Sequence, residues 1–175
     1  GKVEIINNLM GGQDMSTKRI ANMSMLVALA IIFSYIEFLI PINLGIPGMK
    51  LGLANLVIVI ALYILKISDV WIISILRILI MGFMFGSGMS IIYSLAGAVV
   101  SLIVMSVIKK IGGFSIIGVS MAGAVCHNMG QVMVAIIVVE NVSVIYYVPA
   151  LLVAGIITGA VIGIISKRVL SVIKK

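Results

Sequence analysis

Seven polar side chains stand inside or beside long apolar runs: Glu37, Lys50, Asn55, Arg77, His127, Asn128 and Gln131. Each could do chemistry that the surrounding residues cannot. Arg77 keeps its charge at any accessible pH and must find acceptors. His127, the only histidine, can donate through one ring nitrogen and accept through the other. His127 and Gln131 are four residues apart, so on a helix they share one face, with Gly123 a turn earlier. Ionisable side chains at membrane depth are costly, and by default they mark a functional site. Arg77, Lys50 and a protonated His127 would outweigh Glu37, so the inferred cavity suits an anionic or amphiphilic small molecule. For Asn55 taken alone, simple interhelical hydrogen bonding is an equal reading. For Lys50, so is an interfacial position with its ammonium in water.

Other chemistries lack their residues. There is no phosphate-binding GxxxxGK[ST] loop, so ATP hydrolysis is not expected of this chain. The five acids stand singly at 4, 14, 37, 69 and 140, which makes no metal site. Cys126 is the only cysteine and cannot form an internal disulfide. No Ser-His-Asp or Cys-His nucleophile pattern is present. We therefore expect no catalytic residue, no metal, no cofactor and no enzymatic activity.

The elements that must hold these side chains follow from composition. The chain is 63% hydrophobic and 10% charged, with mean hydropathy +1.37. Soluble domains carry about 25% charged residues. A chain of 175 residues cannot bury so much apolar surface within itself, so lipid must solvate part of it. A spanning helix takes about 20 apolar residues. The apolar runs predict six spans, at about 20–40, 51–65, 70–85, 89–108, 114–139 and 144–166. The second is short enough to be tilted or partly re-entrant. Pro149 falls near the start of the sixth, where a missing N–H is tolerated. The fold expected is all-α, a single six-helix transmembrane domain over 15–175. Residues 1–14 read as a leader or cloning remnant outside it.

The net charge of +7 does not point to nucleic acid, because the basic residues flank the apolar runs. With six spans, Lys18, Arg19, Lys66, Lys109, Lys110, Lys167, Arg168, Lys174 and Lys175 lie on one side, and only Lys50 lies in a loop on the other. Basic loops stay cytoplasmic. This predicts a multi-pass protein of the cytoplasmic membrane with both termini inside. The loop Pro41–Lys50 has two prolines and two glycines, reads as non-helical, and is placed to cover the outer mouth as a lid or to serve as a plain connector. Ser24/Ala28 and Ala30/Ser34 are small-xxx-small pairs that permit close helix approach, a weak sign of a partner.

Two segments carry a resemblance. Pro47-Gly-Met-Lys-Leu-Gly-Leu-Ala-Asn55 resembles the PGxKLGLAN motif of the heptaprenyl diphosphate synthase component I proteins, also called Gx transporters. Gly118-Val-Ser-Met-Ala-Gly-Ala-Val-Cys-His-Asn-Met-Gly-Gln131 resembles their GxSxxGAxxHNxGQ segment. Arg77 and Ser94-Leu-Ala-Gly97 also look like family positions. That family is similar to the substrate-binding S components of energy-coupling factor (ECF) transporters. The resemblance implies a six-helix, ECF S-component-like fold. It also implies a small-molecule site near the outer face and docking through helix one onto an ECF-type transmembrane scaffold with ATPase subunits. Ser24 and Ala28, with Ala30 and Ser34, are the docking candidates. The site candidates are Arg77, His127, Asn128, Gln131, Asn55, Lys50 and Glu37. The substrate expected is a small organic molecule, anionic or related to isoprenoids and quinones. The family's synthase name implies a second possibility, a noncatalytic membrane subunit beside a prenyl diphosphate synthase. Such synthases hold magnesium diphosphate through Asp-rich motifs, and this chain has none.

Overall fold

The computed structural model describes residues 2–40, 52–140 and 142–173, with only the backbone of 2–16, 139 and 142. The lid expectation for Pro41–Lys50, and Lys50 itself, lie outside the described residues. The described residues form six α-helices: α1 (Lys2–Leu39), α2 (Asn55–Ile64), α3 (Ile67–Phe85), α4 (Gly88–Ile111), α5 (Ile116–Val139) and α6 (Val148–Ile173). A 3-10 turn at Val142–Tyr147 precedes α6. No strand occurs among the described residues.

Five helices are long and apolar enough to cross a membrane, over Thr17–Leu39, Ile67–Phe85, Gly88–Ile111, Ile116–Val138 and Ser143–Ile173. α2 is different. Its ten residues rise only about 15 Å, half the hydrocarbon thickness. The expected span 51–65 is therefore a short core helix. Asn55, Val57, Ile58, Val59, Ile60, Ala61 and Leu62 are all buried, and side chains from all five other helices surround α2 in one cluster. A helix apolar on every side is stable only when neighbours cover every side. The long helices instead expose rows of large apolar residues, such as Phe83, Ile137 and Ile157, as lipid-facing helices do.

α1 also differs from the expected 20–40, since its backbone is helical from Lys2. The other boundaries follow local chemistry. Ser87 and Ser115 cap α4 and α5, their hydroxyls accepting from Ser90 N at 3.2 Å and Gly118 N at 3.1 Å. Such caps satisfy amides that have no partner within the helix. Gly112 and Gly113 both have φ +79°, which turns the chain sharply between α4 and α5.

Glycines set the closest packing. A Cβ on Gly159 or Gly163 of α6 would sit 2.6 Å from the backbone of Met121 or Ile117 on α5. A Cβ on Gly130 of α5 would meet the Ala96 carbonyl of α4 at 2.7 Å. α5 is thus held backbone-to-backbone between α4 and α6, antiparallel to both. α1 and α3 run parallel, as the contacts Arg19–Asp69 and Ser34–Arg77 require. The span ends near Arg19, Lys66, Lys109 and Lys167 consequently gather at one end of the bundle. At the opposite end Tyr35, Phe38 and Phe85 form a cluster with ring centroids 5.0–6.5 Å apart. Aromatic side chains favour such a position near a membrane–water interface.

Candidate functional site

Arg77 is the eleventh of nineteen residues in α3, and His127 the twelfth of twenty-four in α5. Both therefore lie near the middle of their helices. Arg77 is only 9% exposed. Its Nη1 donates to Ser34 Oγ of α1 at 3.3 Å. Its Nε is buried and finds no acceptor among the described residues. The Glu37 carboxylate, one turn above Ser34, bears electrostatically on this guanidinium.

Glu37 has structural work as well. Its carboxylate accepts the backbone N–H of Gly52. Gly52 has φ +83°, a conformation that glycine adopts without a Cβ penalty, and its carbonyl accepts Asn55 N at 2.8 Å. A Cβ on Gly52 would lie 2.8 Å from Asn55 Nδ2, so the Asn55 side chain rests directly over this turn. Glu37, Gly52 and Asn55 together fix where α2 begins. The Gly-Leu-Ala-Asn portion of the first motif is the turn that launches the core helix.

His127 faces α4. Its imidazole lies flat enough on Gly97 that a Cβ there would sit 2.9 Å from both Cε1 and Nε2. The ring is 5% exposed, and its Nδ1 has no partner among the described residues. Gln131 is 1% exposed, and its Oε1 is likewise unpartnered. Asn128 points elsewhere: its Nδ2 donates to the Leu151 carbonyl of α6 at 2.9 Å. Asn128 therefore acts as interhelical glue, while Arg77, His127 and Gln131 each keep a buried polar atom unsatisfied.

The expected docking residues divide. Ser24 and Ala28 are exposed and line an apolar groove of ≈370 Å³ with Ile20, Met23, Val27, Ile31 and Leu76. Ala30 and Ser34 are buried, facing the bundle interior, and Ser34 belongs to the Arg77 cluster.

Two features had no site role in the sequence reading. Ser90 and Ser94 of α4 line a small cavity of ≈20 Å³ with Ser34, Arg77, Ile78, Met81 and Gly82. Their four-residue spacing, continued by Gly97, was the available signal for one polar face. Asp69 is 1% exposed and takes Arg19 in a two-pronged ion pair, with Nε to Oδ2 at 2.9 Å and Nη2 to Oδ1. No group of three or more metal-ligating side chains occurs among the described residues.

Such an architecture, with long lipid-length helices, a buried short helix and unsatisfied polar groups at mid-depth, is that of a multi-pass α-helical membrane protein. The chain belongs to the heptaprenyl diphosphate synthase component I family, whose model matches residues 26–169. No curated protein and no solved structure gives a significant match.

Proposed function

We propose that this chain is the noncatalytic substrate-binding membrane subunit of an ECF-type importer for a small organic molecule. The carrying observation is that, of six unsatisfied buried side-chain atoms among the described residues, the three that are not serine hydroxyls lie on Arg77, His127 and Gln131. An unpaired buried polar group costs about 1–3 kcal/mol, more if charged. A protein that kept three for packing alone would be less stable than one with apolar groups in their place, whereas a ligand that satisfies them recovers the cost. Glu37 and Asn55 shape the outer end of the site, and Lys50 is proposed to border it. Asn128 holds α5 to α6 behind it. Ser24 and Ala28, with the groove they line, are the proposed docking surface for a transmembrane scaffold with its ATPases. The protein would sit in the cytoplasmic membrane, with both termini and the basic end inside.

Native mass spectrometry of the protein in mild detergent tests this. A retained small molecule is expected, lost in both Arg77→Ala and His127→Ala. Unchanged retention in both variants would overturn the site. The family's name supports a second reading, a membrane subunit accompanying a prenyl diphosphate synthase. That reading predicts co-purification with a soluble Asp-rich synthase in mild detergent, and failure to co-purify would count against it.

A further inference from the structure

We propose that the cavity between Arg77 and the α4 serines is a socket for a single carboxylate group at one end of the ligand. The inference rests on the ligand-binding reading above and narrows it to a chemical class.

The socket has three kinds of wall. Hydroxyls come from Ser34 on α1 and from Ser90 and Ser94, one turn apart on α4. The cation is Arg77 on α3. Ile78, Met81 and Gly82 make the apolar wall. With Nη1 turned to Ser34, the other edge of the guanidinium includes Nε, the donor left without an acceptor. That edge presents two parallel N–H groups, the arrangement that grips two oxygens of one planar acid side-on. Hydroxyls of Ser90 and Ser94 can donate to the same oxygens. Both serines are only partly buried, so this side of the cavity can be reached.

Size and charge narrow the class. A volume of ≈20 Å³ is far below the roughly 300 Å³ or more of a pocket for a whole small molecule, so the socket takes a terminal group and not a whole vitamin-sized molecule. The remainder of the ligand must lie outside it. Among the described residues, Arg77 is the only charged side chain lining the cavity. One such cation can neutralise a single added negative charge. It cannot neutralise a diphosphate carrying two or three in a site largely closed to water, because uncompensated buried charge is far costlier than a lost hydrogen bond. A prenyl diphosphate is therefore excluded from this socket, while an amphiphile ending in a carboxylate fits.

The test uses the full chain in mild detergent, with decanoate, decanol, decyl phosphate and farnesyl diphosphate as probes. Binding is read by isothermal titration and by the shift in thermal unfolding midpoint. Decanoate is expected to bind, with decyl phosphate weaker and with decanol and farnesyl diphosphate giving no saturable signal. Ser90→Ala and Ser94→Ala should each weaken decanoate about 5–10-fold, and Arg77→Gln should abolish saturation. The serine variants keep the test decisive if Arg77→Gln fails to fold. Farnesyl diphosphate binding more tightly than decanoate would overturn the assignment, as would decanoate binding unaffected by the serine substitutions. If native mass spectrometry finds a retained molecule that has no carboxylate and is lost in Arg77→Ala, the binding-subunit reading stands and the socket falls. If no molecule is retained and no probe binds, both fall.

Discussion

The two levels of the bundle treat charge differently. At the basic end, the buried acid Asp69 and the inward-reaching Lys109 both have partners. Arg19 and Asp69 join α1 to α3. The Lys109 ammonium donates to the Leu62 carbonyl and lies 5.0 Å from the Tyr63 ring centroid, closing the C-terminus of α2. At mid-depth the pairing is incomplete: Arg77 Nε, His127 Nδ1 and Gln131 Oε1 have no partners among the described residues. Arg19, Asp69 and Lys109 fasten helices, whereas the mid-depth groups are the ones that the proposed function assigns to a ligand.

Four substitutions would break or sharpen that contrast. The largest effect is expected from Arg77→Ala, which should reduce affinity for the retained ligand by about 100-fold or more, since hydrogen bonds to charged groups are worth about 1.5–3 kcal/mol each and several are lost together. Its unfolding midpoint without ligand should hold or rise, because a poorly paired buried charge is removed. Loss of stability with retained binding would reverse the assignment of roles.

Gly97→Ala should come next. The added methyl meets the His127 ring and carbonyl at 2.9 Å. Overpacking of this kind costs about 1–3 kcal/mol and should displace the imidazole, weakening binding roughly tenfold. Equal loss in Gly97→Ala and His127→Ala, with no further loss in the double variant, would show that the glycine acts through the ring.

Asp69→Asn should lower the unfolding midpoint by a few degrees and leave ligand affinity unchanged. The deficit should shrink at high salt, since Arg19 is 48% exposed and its pairing is screened. A midpoint difference between the two proteins that did not change from low to high salt would argue that Asp69 matters through packing alone.

Lys109→Met should have the smallest effect, a loss of about 1 kcal/mol from an uncapped α2 C-terminus. Hydrogen exchange confined to the last turn of α2 would locate it. Exchange spreading through α5 would mean that the two levels are not separable.

Much was legible in the sequence because lipid solvation acts on composition and run length. The apolar runs identified all six helices, and for α3, α4 and α5 the ends fell within three residues. The expected short second span holds a ten-residue helix covered on every side, which apolar content cannot distinguish from a lipid-facing one. Arg77, His127 and Gln131 stood out since an ionisable or amide side chain is rare in such runs. Asn128 looked identical to its neighbours, and only the helix rotation that turns it to Leu151 made it glue. Ala30/Ser34 and Ser24/Ala28 have the same spacing, yet one pair faces inward and the other outward. Ser90 was passed over, and Ser94 was noted only as a family position, because serine is inexpensive in a membrane helix and gives no warning.

By itself, then, the amino-acid order determined a helical membrane protein with its basic residues gathered at one end and a few polar groups stranded along its helices. Those properties depend on transfer free energy, which is a sum over residues. Tertiary structure alone decided which stranded groups meet. Arg77, Ser34, Ser90 and Ser94 come from three helices and converge only because glycine contacts and the buried α2 set how the helices rotate and cross, and that is a matter of packing geometry.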